Sequence, residues 1–280
     1  MGDAPAYTTR ALSVVPNAAA MRARIWSPRL SDGYVPQGVA TGGGYLWIAA
    51  YRSVDRRQNR GPCRVFRVDP ADGGVAGQFD LPAACGHAGG IAHIGDRYLY
   101  VADTGHLFRI DTQAALAAGR CEPLACASLA VTGGLRGSAI SYAQGYLWFA
   151  PYVKAGQGTA RLRRVPEQRI LTLVASGSGE LEESAADREV AIADQTQGVA
   201  RAADGSLWLT QSGAKFGRLQ KIDAESGLVM LSYTMPAGVE DIEFGPDGLL
   251  WAISEAGSQR WNTWPTFFPL IFSLDVPLLR

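Results

Sequence analysis

The chain has 280 residues, 47% of them apolar and 19% charged, so it can bury a large core and lacks the low-hydrophobicity, high-charge signature of disorder. Its 26 basic and 26 acidic residues balance to a formal charge of zero, which excludes a global field drawing it to nucleic acid or to an anionic membrane. No run of about 18 apolar residues is available to span a bilayer. The opening Met1-Gly2-Asp3-Ala4-Pro5-Ala6 lacks a basic-then-hydrophobic signal region and also resembles the start of a mature chain whose signal has been removed.

The first segment, 1–36, contains one strand-like run, Arg22-Ala23-Arg24-Ile25-Trp26-Ser27. A repeat then begins. In 37–84 the small-residue strand Gly38-Val39-Ala40 turns through glycines into Tyr45-Leu46-Trp47-Ile48-Ala49, followed by Arg64-Val65-Phe66-Arg67-Val68 and Val75-Ala76-Gly77-Gln78-Phe79. In 85–134 the same order gives Gly90-Ile91-Ala92, Tyr98-Leu99-Tyr100-Val101-Ala102 and His106-Leu107-Phe108-Arg109-Ile110, with a short helix expected over 113–118, where alanine and leucine cluster. The unit 135–176 carries Ala139-Ile140-Ser141, Tyr146-Leu147-Trp148-Phe149-Ala150 and Arg161-Leu162-Arg163-Arg164-Val165, and an acidic insertion is expected over 177–194. In 195–237 the strands are Gly198-Val199-Ala200, Ser206-Leu207-Trp208-Leu209-Thr210, Arg218-Leu219-Gln220-Lys221-Ile222 and Val229-Met230-Leu231-Ser232-Tyr233. The last unit, 238–280, has only three: Asp241-Ile242-Glu243, Leu249-Leu250-Trp251-Ala252-Ile253 and Leu270-Ile271-Phe272-Ser273-Leu274.

Hairpins joined by Gly or Asp-Gly turns and recurring every 40 to 60 residues or so are the pattern of propeller blades. The expected fold is therefore a single all-β domain, a five-bladed β-propeller of four-stranded antiparallel blades. The N-terminal run supplies the strand missing from the last blade, so the ring closes without an open edge. Trp47, Trp148, Trp208 and Trp251 are expected in the core between blades.

Four cysteines allow three pairings. Cys121 and Cys126, five residues apart, can close a small loop, which leaves Cys63 with Cys85 at one rim; two bridges imply a secreted or periplasmic protein. The other reading is four buried thiols in a reducing compartment.

The strings Gln197-Gly198-Val199-Ala200, Asp204-Gly205-Ser206-Leu207-Trp208-Leu209-Thr210, Gly217-Arg218-Leu219 and Ile222-Asp223 resemble the blade consensus of NHL, regucalcin/gluconolactonase and streptogramin-lyase-like propellers. That resemblance implies the fold, and it spans calcium-dependent lactonases, a lyase and pure binding modules. The lactonases hold their metal with carboxylates and asparagines; the positions here are Gln37, Gly89, Ser138, Gln197 and Glu240. The lyase's histidine and glutamate cluster lies in late blades, whereas His87, His93 and His106 all fall in the second.

Loops leading into the innermost strands share a face with those joining second to third strands, and ligands bind there. Residues expected to contact a ligand are Gln37, Arg52, His87, Ser138, Gln197 and Lys215. The basic residues of these loops are either solvated charges or the selector of an anionic partner, and the acids of 177–194 stand ready to cancel them. His87 or His106, oriented by Asp103, has the chemistry of a general base, but no nucleophile elbow or phosphate loop accompanies them. Glu240 and Asp241 are the candidate ligands for a divalent cation such as calcium.

Three functions follow. The first is a monomeric binding module for a small molecule, peptide or protein. The second is a metal-dependent hydrolase or lactonase. The third is a scaffold that docks through the aromatic loop 261–269.

Overall fold

In the computed structural model, which describes all residues except Leu124, Ser138 and Ser178, five sheets, each with four antiparallel strands, stand around a central axis, and the second gains a short parallel strand at its outer edge. The N-terminal strand β1 (Met21–Trp26) is the outer strand of the last blade. Blade one is β2 (Tyr34–Gly42), β3 (Tyr45–Arg52), β4 (Cys63–Val68) and β5 (Val75–Asp80). Blade two follows with β6 (Ile91–Ile94), β7 (Tyr98–Asp103), β8 (His106–Asp111) and β9 (Cys126–Val131), the last two joined by helix α1 (Thr112–Ala118). Asp111 caps that helix, accepting hydrogen bonds from the Gln113 and Ala114 amides, which is why it starts where it does.

Blade three departs from expectation. After β10 (Ala139–Ala143), β11 (Tyr146–Ala150) and β12 (Ala160–Pro166) comes helix α2 (Glu167–Ser176) rather than a strand. Ile170, Leu173 and Val174 recur at helical spacing and pack onto one apolar cluster, and Gly177 ends the helix in the left-handed conformation at φ 66°. The acidic segment 177–194 is part of the sheets rather than an insertion. It gives β13 (Glu180–Leu181), parallel to β9, and β14 (Arg188–Ile192), the outer strand of blade three. Its acids are consumed there: Arg163 pairs with Glu183 and with Glu189 (2.6 Å), and Arg164 with Asp187 (2.8 Å). Those three are therefore not free to cancel the basic loops of the ligand face, whereas Asp194 accepts the Gly156 amide at 3.0 Å in the loop that carries Lys154.

Blade four is β15 (Thr196–Arg201), β16 (Leu207–Gly213), β17 (Phe216–Ile222) and β18 (Val229–Met235). Blade five is β19 (Val239–Phe244), β20 (Leu250–Ser254) and β21 (Leu270–Leu274), with β1 paired antiparallel to β21 from Met21–Leu274 to Trp26–Leu270. The aromatic residue of each second strand packs against the following blade. Trp47 shares a cluster with Ile91 and Leu99, Trp148 with Val199 and Leu207, Trp208 with Val239 and Leu250, and Trp251 with Val39 and Leu46.

The innermost strands crowd the axis. A Cβ on Gly38 would lie 2.1 Å from the Gly89 carbonyl oxygen, and one on Gly90 2.2 Å from the Ile140 nitrogen, so only glycine fits at either place. No helix among the described residues is long and apolar enough to cross a membrane.

Cys121 and Cys126 are bridged, as expected. Cys63 and Cys85 are not. They are free, buried thiols in hydrogen-bond contact, and Cys63 Sγ also accepts the Ala88 amide at 3.3 Å.

Candidate functional site at the mouth of the channel

Three of the inner strands are irregular at the same level. Ladder pairing shifts between Pro36 and Gly38 in β2, between Thr196 and Gly198 in β15, and between Val239 and Ile242 in β19. An extra residue in a strand is left unpaired and re-aims its side chain. The residues so released are Gln37, Gln197 and the Glu240-Asp241 pair, and Gln37, Gln197 and Glu240 line a cavity of about 400 Å³ at the channel mouth.

The other walls come from the loops above. Glu255 follows β20, Arg260 and Trp261 lie in a short 3₁₀ turn over 259–261, and His87 leads into blade two. Asn59, Arg60, Arg136 and Tyr152 complete the rim.

Glu240 and Glu255 are the chemical centre. Both are buried, and each carboxyl acts on the other, so ionising both at once is disfavoured. Burial raises Glu240 well above the usual carboxylate range, and the nearby charges of Glu255 and Asp241 raise it further. Glu255 is pushed up to about 7, chiefly by burial; the Trp261 indole N–H, the Arg260 cation and the Gln37 amide oppose the rise. Trp261 Nε1 donates to Glu255 Oε2 at 2.8 Å, Gln37 Nε2 donates to the same oxygen at 2.9 Å, and Gln197 Nε2 donates to Glu240 Oε1 at 3.1 Å.

A polar chain continues outward from this pair. The Gln37 amide nitrogen is committed to Glu255 and to the Pro36 carbonyl, so its oxygen faces His87 Nε2 at 3.0 Å, while His87 Nδ1 faces the Asn59 carbonyl. Both ring nitrogens thus meet acceptors. Burial nevertheless lowers the pKa of His87, with Arg260 acting in the same direction, so the neutral ring leaves one acceptor without a proton.

Arg260 is buried, with 6% of its surface exposed. Its guanidinium stacks 4.3 Å from the Trp261 ring centroid, donates to the Tyr51 hydroxyl and, at 3.4 Å, to the Arg56 carbonyl, and leaves Nε without a partner. Among the described residues no carboxylate lies within ion-pair distance of it.

Of the residues expected to bind a ligand, the fold brings Gln37, His87 and Gln197 together. Ser138 lies outside the described residues. Arg52 is exposed and donates to the Asp32 carbonyl at 2.8 Å, and Lys215 is exposed on the turn between β16 and β17; neither lines the cavity. Sharing the face is not enough: Arg52 stands at the start of a loop whose Asn59 and Arg60, rather than Arg52 itself, reach the cavity.

The general-base arrangement does not form. Asp103 accepts the backbone amides of Gly86 (2.6 Å) and His87 (3.1 Å), not the imidazole, and so pins the loop that carries His87. His106 stacks on Phe108 and does not line the cavity.

The two candidate metal ligands also separate. Glu240 faces the cavity, whereas Asp241 lies deeper, its Oδ2 accepting the Val39 and Ile91 amides at 3.3 and 3.4 Å. No cluster of three or more His, Cys, Asp or Glu suited to a metal occurs among the described residues. Gln37 and Gln197 turn N–H groups, not oxygens, toward the carboxyls. This donor set does not fit calcium, which takes six to eight oxygen ligands.

Glu255 and Trp261 are site residues that sequence reasoning did not single out. The signal was the aromatic loop 261–269, read from the sequence as a docking surface; Trp261 opens it and instead turns into the channel mouth.

The sequence matches no protein-family model and no curated protein. Solved structures similar to it are propellers. A glutaminyl cyclase from Myxococcus xanthus aligns with TM-score 0.56 and 12% identity over 91% of this chain and 96% of that one. A virginiamycin B lyase from Staphylococcus aureus aligns with TM-score 0.45 and 14% identity over 82% of this chain and 66% of that one. The PQQ-bound aldose sugar dehydrogenase of Streptomyces coelicolor gives 0.48 and 14%, over 86% and 78%. At these identities the likeness describes the fold: this chain is a five-bladed propeller with a polar cavity at one mouth of its channel.

Proposed function

We propose that the protein is a ligand-binding propeller whose channel-mouth cavity takes a small molecule bearing an anionic group, with a carboxylate the best match. The observation that carries this reading is Arg260. A buried guanidinium is costly unless it is paired, and this one lines the cavity with Nε unpartnered and no carboxylate in ion-pair reach. Arg60 and Arg136 at the rim extend the positive surface outward. The cavity's size suits a small molecule. The Cys121–Cys126 bridge supports a secreted or periplasmic location.

Calorimetric titration at pH 7 with a series of small carboxylates, beside the matching alcohols and amides, tests the reading. Only the carboxylates should bind. Arg260→Gln should weaken them about 10- to 100-fold, the range for losing a charged hydrogen bond. Equal binding of acids and their amides overturns the proposal.

The Glu240–Glu255 pair favours a second reading, acid–base hydrolysis without a metal, because a carboxyl titrating near neutrality is matched to proton transfer. An ester and lactone screen with Glu240→Gln as control tests it; turnover that survives the substitution would remove the pair from the chemistry.

A further inference from the structure

Building on the carboxylate-binding reading, we infer that the ligand of the channel-mouth cavity is a free amino acid, whose ammonium group sits on the Glu240–Glu255 pair while its carboxylate meets Arg260. The two recognition elements are built on one platform. Trp261 presents its ring face to the Arg260 guanidinium at 4.3 Å and its edge N–H to Glu255 Oε2 at 2.8 Å. Opposite charges therefore flank a single indole, close enough for one small zwitterion to meet both.

An anion alone accounts for Arg260 but leaves the acid pair unexplained. Two buried carboxyls brought together from two chain segments, β19 and the loop after β20, cost stability unless something compensates them. In the free protein they compensate each other by sharing a proton. Their remaining donors, Gln37, Gln197 and Trp261, are all neutral N–H groups, which stabilise one negative charge without supplying a counter-ion. An ammonium is the group that would satisfy both carboxylates at once, with three donors of its own.

The proposal fixes a proton balance. An ammonium contacts the pair best when both carboxyls are ionised, so the shared proton leaves as the ligand arrives. The charged or titratable groups facing the pair are Asp241 from below, Tyr51 and Arg260 from the side, and His87 through Gln37. Tyr51 is raised and stays neutral. The other groups able to exchange a proton near neutrality are Asp241, raised by its burial and held on the Val39 and Ile91 amides, and the imidazole, whose pKa burial lowers.

The test is calorimetry on the intact chain at pH 8, above the Glu255 value, with matched probes: leucine, 4-methylpentanoate, isoamylamine and the dipeptide Leu-Gly, with glutamate and glutarate as a second pair. Titrations in buffers of different ionisation enthalpy count the protons released. At least one amino acid should bind about tenfold or more tightly than its deaminated acid, releasing roughly one proton that the acid does not release. Glu240→Gln should reduce the ratio of the two affinities toward one.

Equal affinity with and without the amine overturns this inference while the carboxylate reading stands. No binding by any carboxylate overturns both. Tighter binding of the dipeptide overturns the assignment to a free amino acid. Because the proton count is made on the unaltered protein, the result holds even where Glu240→Gln fails to fold.

Discussion

Asp241 stands where the other inner strands carry Gly38, Gly90, Ala139 and Gly198, and it fills the channel that those small residues leave open. Burial and the charge of Glu243 raise its pKa well above the usual range, so it serves as a neutral acid, accepting two backbone amides with Oδ2. Asp241→Asn should therefore change stability by less than about 1 kcal/mol, whereas Asp241→Ala, leaving the Val39 and Ile91 amides unpaired, should cost about 1–3 kcal/mol in a denaturant titration. The free cysteines make a second residue-scale prediction. Cys63 and Cys85 are each 2% exposed, so a thiol reagent should find no reactive cysteine in the native protein and two after unfolding. Two thiols in contact at this rim account for the expectation of a bridge there: sequence order placed both residues correctly but could not say whether the sulfurs had joined. Gln37, Gln197 and Glu240 were legible because each precedes the small-residue run of an inner strand, at a bulge that turns the side chain inward. Arg52 and Lys215 were misplaced because loop membership fixes the face and not the distance from the axis. Glu255 and Trp261 return to the axis only through the course of a loop that no periodicity constrains.

At the scale of the elements, the ring depends on the β1–β21 pairing. Ile25, fully buried, carries β1 into a cluster with Val39, Leu46 and Phe66 of blade one, so the closing strand also joins the last blade to the first. Ile25→Ala should cost about 2–5 kcal/mol, the range for removing a fully buried isoleucine side chain beyond Cβ. Measured by thermal unfolding, it should lower the melting temperature without splitting the transition, because all five blades share one cooperative ring. A separate low-temperature step would show instead that blade five melts alone. The closing strand was readable because a last blade with three strands demands a fourth, and Arg22 to Trp26 offered the only strand-like run before the first blade. Blade three was not readable in the same way. Its run of Ile170, Leu171, Leu173 and Val174 has the apolar content of an outer strand, and only the contacts of Ile170, Leu173 and Val174 reveal a helical period. The true outer strand, β14, hid among charges because its alternation is short: only Val190 and Ile192 turn inward, while Glu189 just before them pairs with Arg161 and Arg163 of β12.

For the molecule as a whole, the channel concentrates protonated carboxyls along one inner strand, with Glu240 at the upper mouth, Asp241 in the middle and Glu243 toward the opposite mouth. Burial pushes Glu243 up to about 8, beside Glu255 at about 7. A carboxyl raised by folding binds its proton more tightly in the native state, so its contribution is complete below the ordinary value near 4 and is lost as pH rises through the folded value. His87 and His93, both lowered by burial, act the other way, but their effect is complete above about 6.5, the ordinary histidine value. The salt-bridged acids, such as Asp204 at about 2, lose their contribution only as pH falls below the ordinary range. Between pH 7 and 9 the groups left to titrate are the buried carboxyls and, toward the top of the window, the raised Cys85 thiol; both act in the same direction, so stability should fall as pH rises from 7. Glu243→Gln, which preserves the shape of the protonated acid, should flatten the decline in calorimetric melting temperature, whereas a substitution at the exposed Asp3 should leave its slope unchanged. A melting temperature that rises from pH 7 to 9 would mean that the channel acids are ionised in the native protein, with water or a counter-ion entering the channel to solvate them.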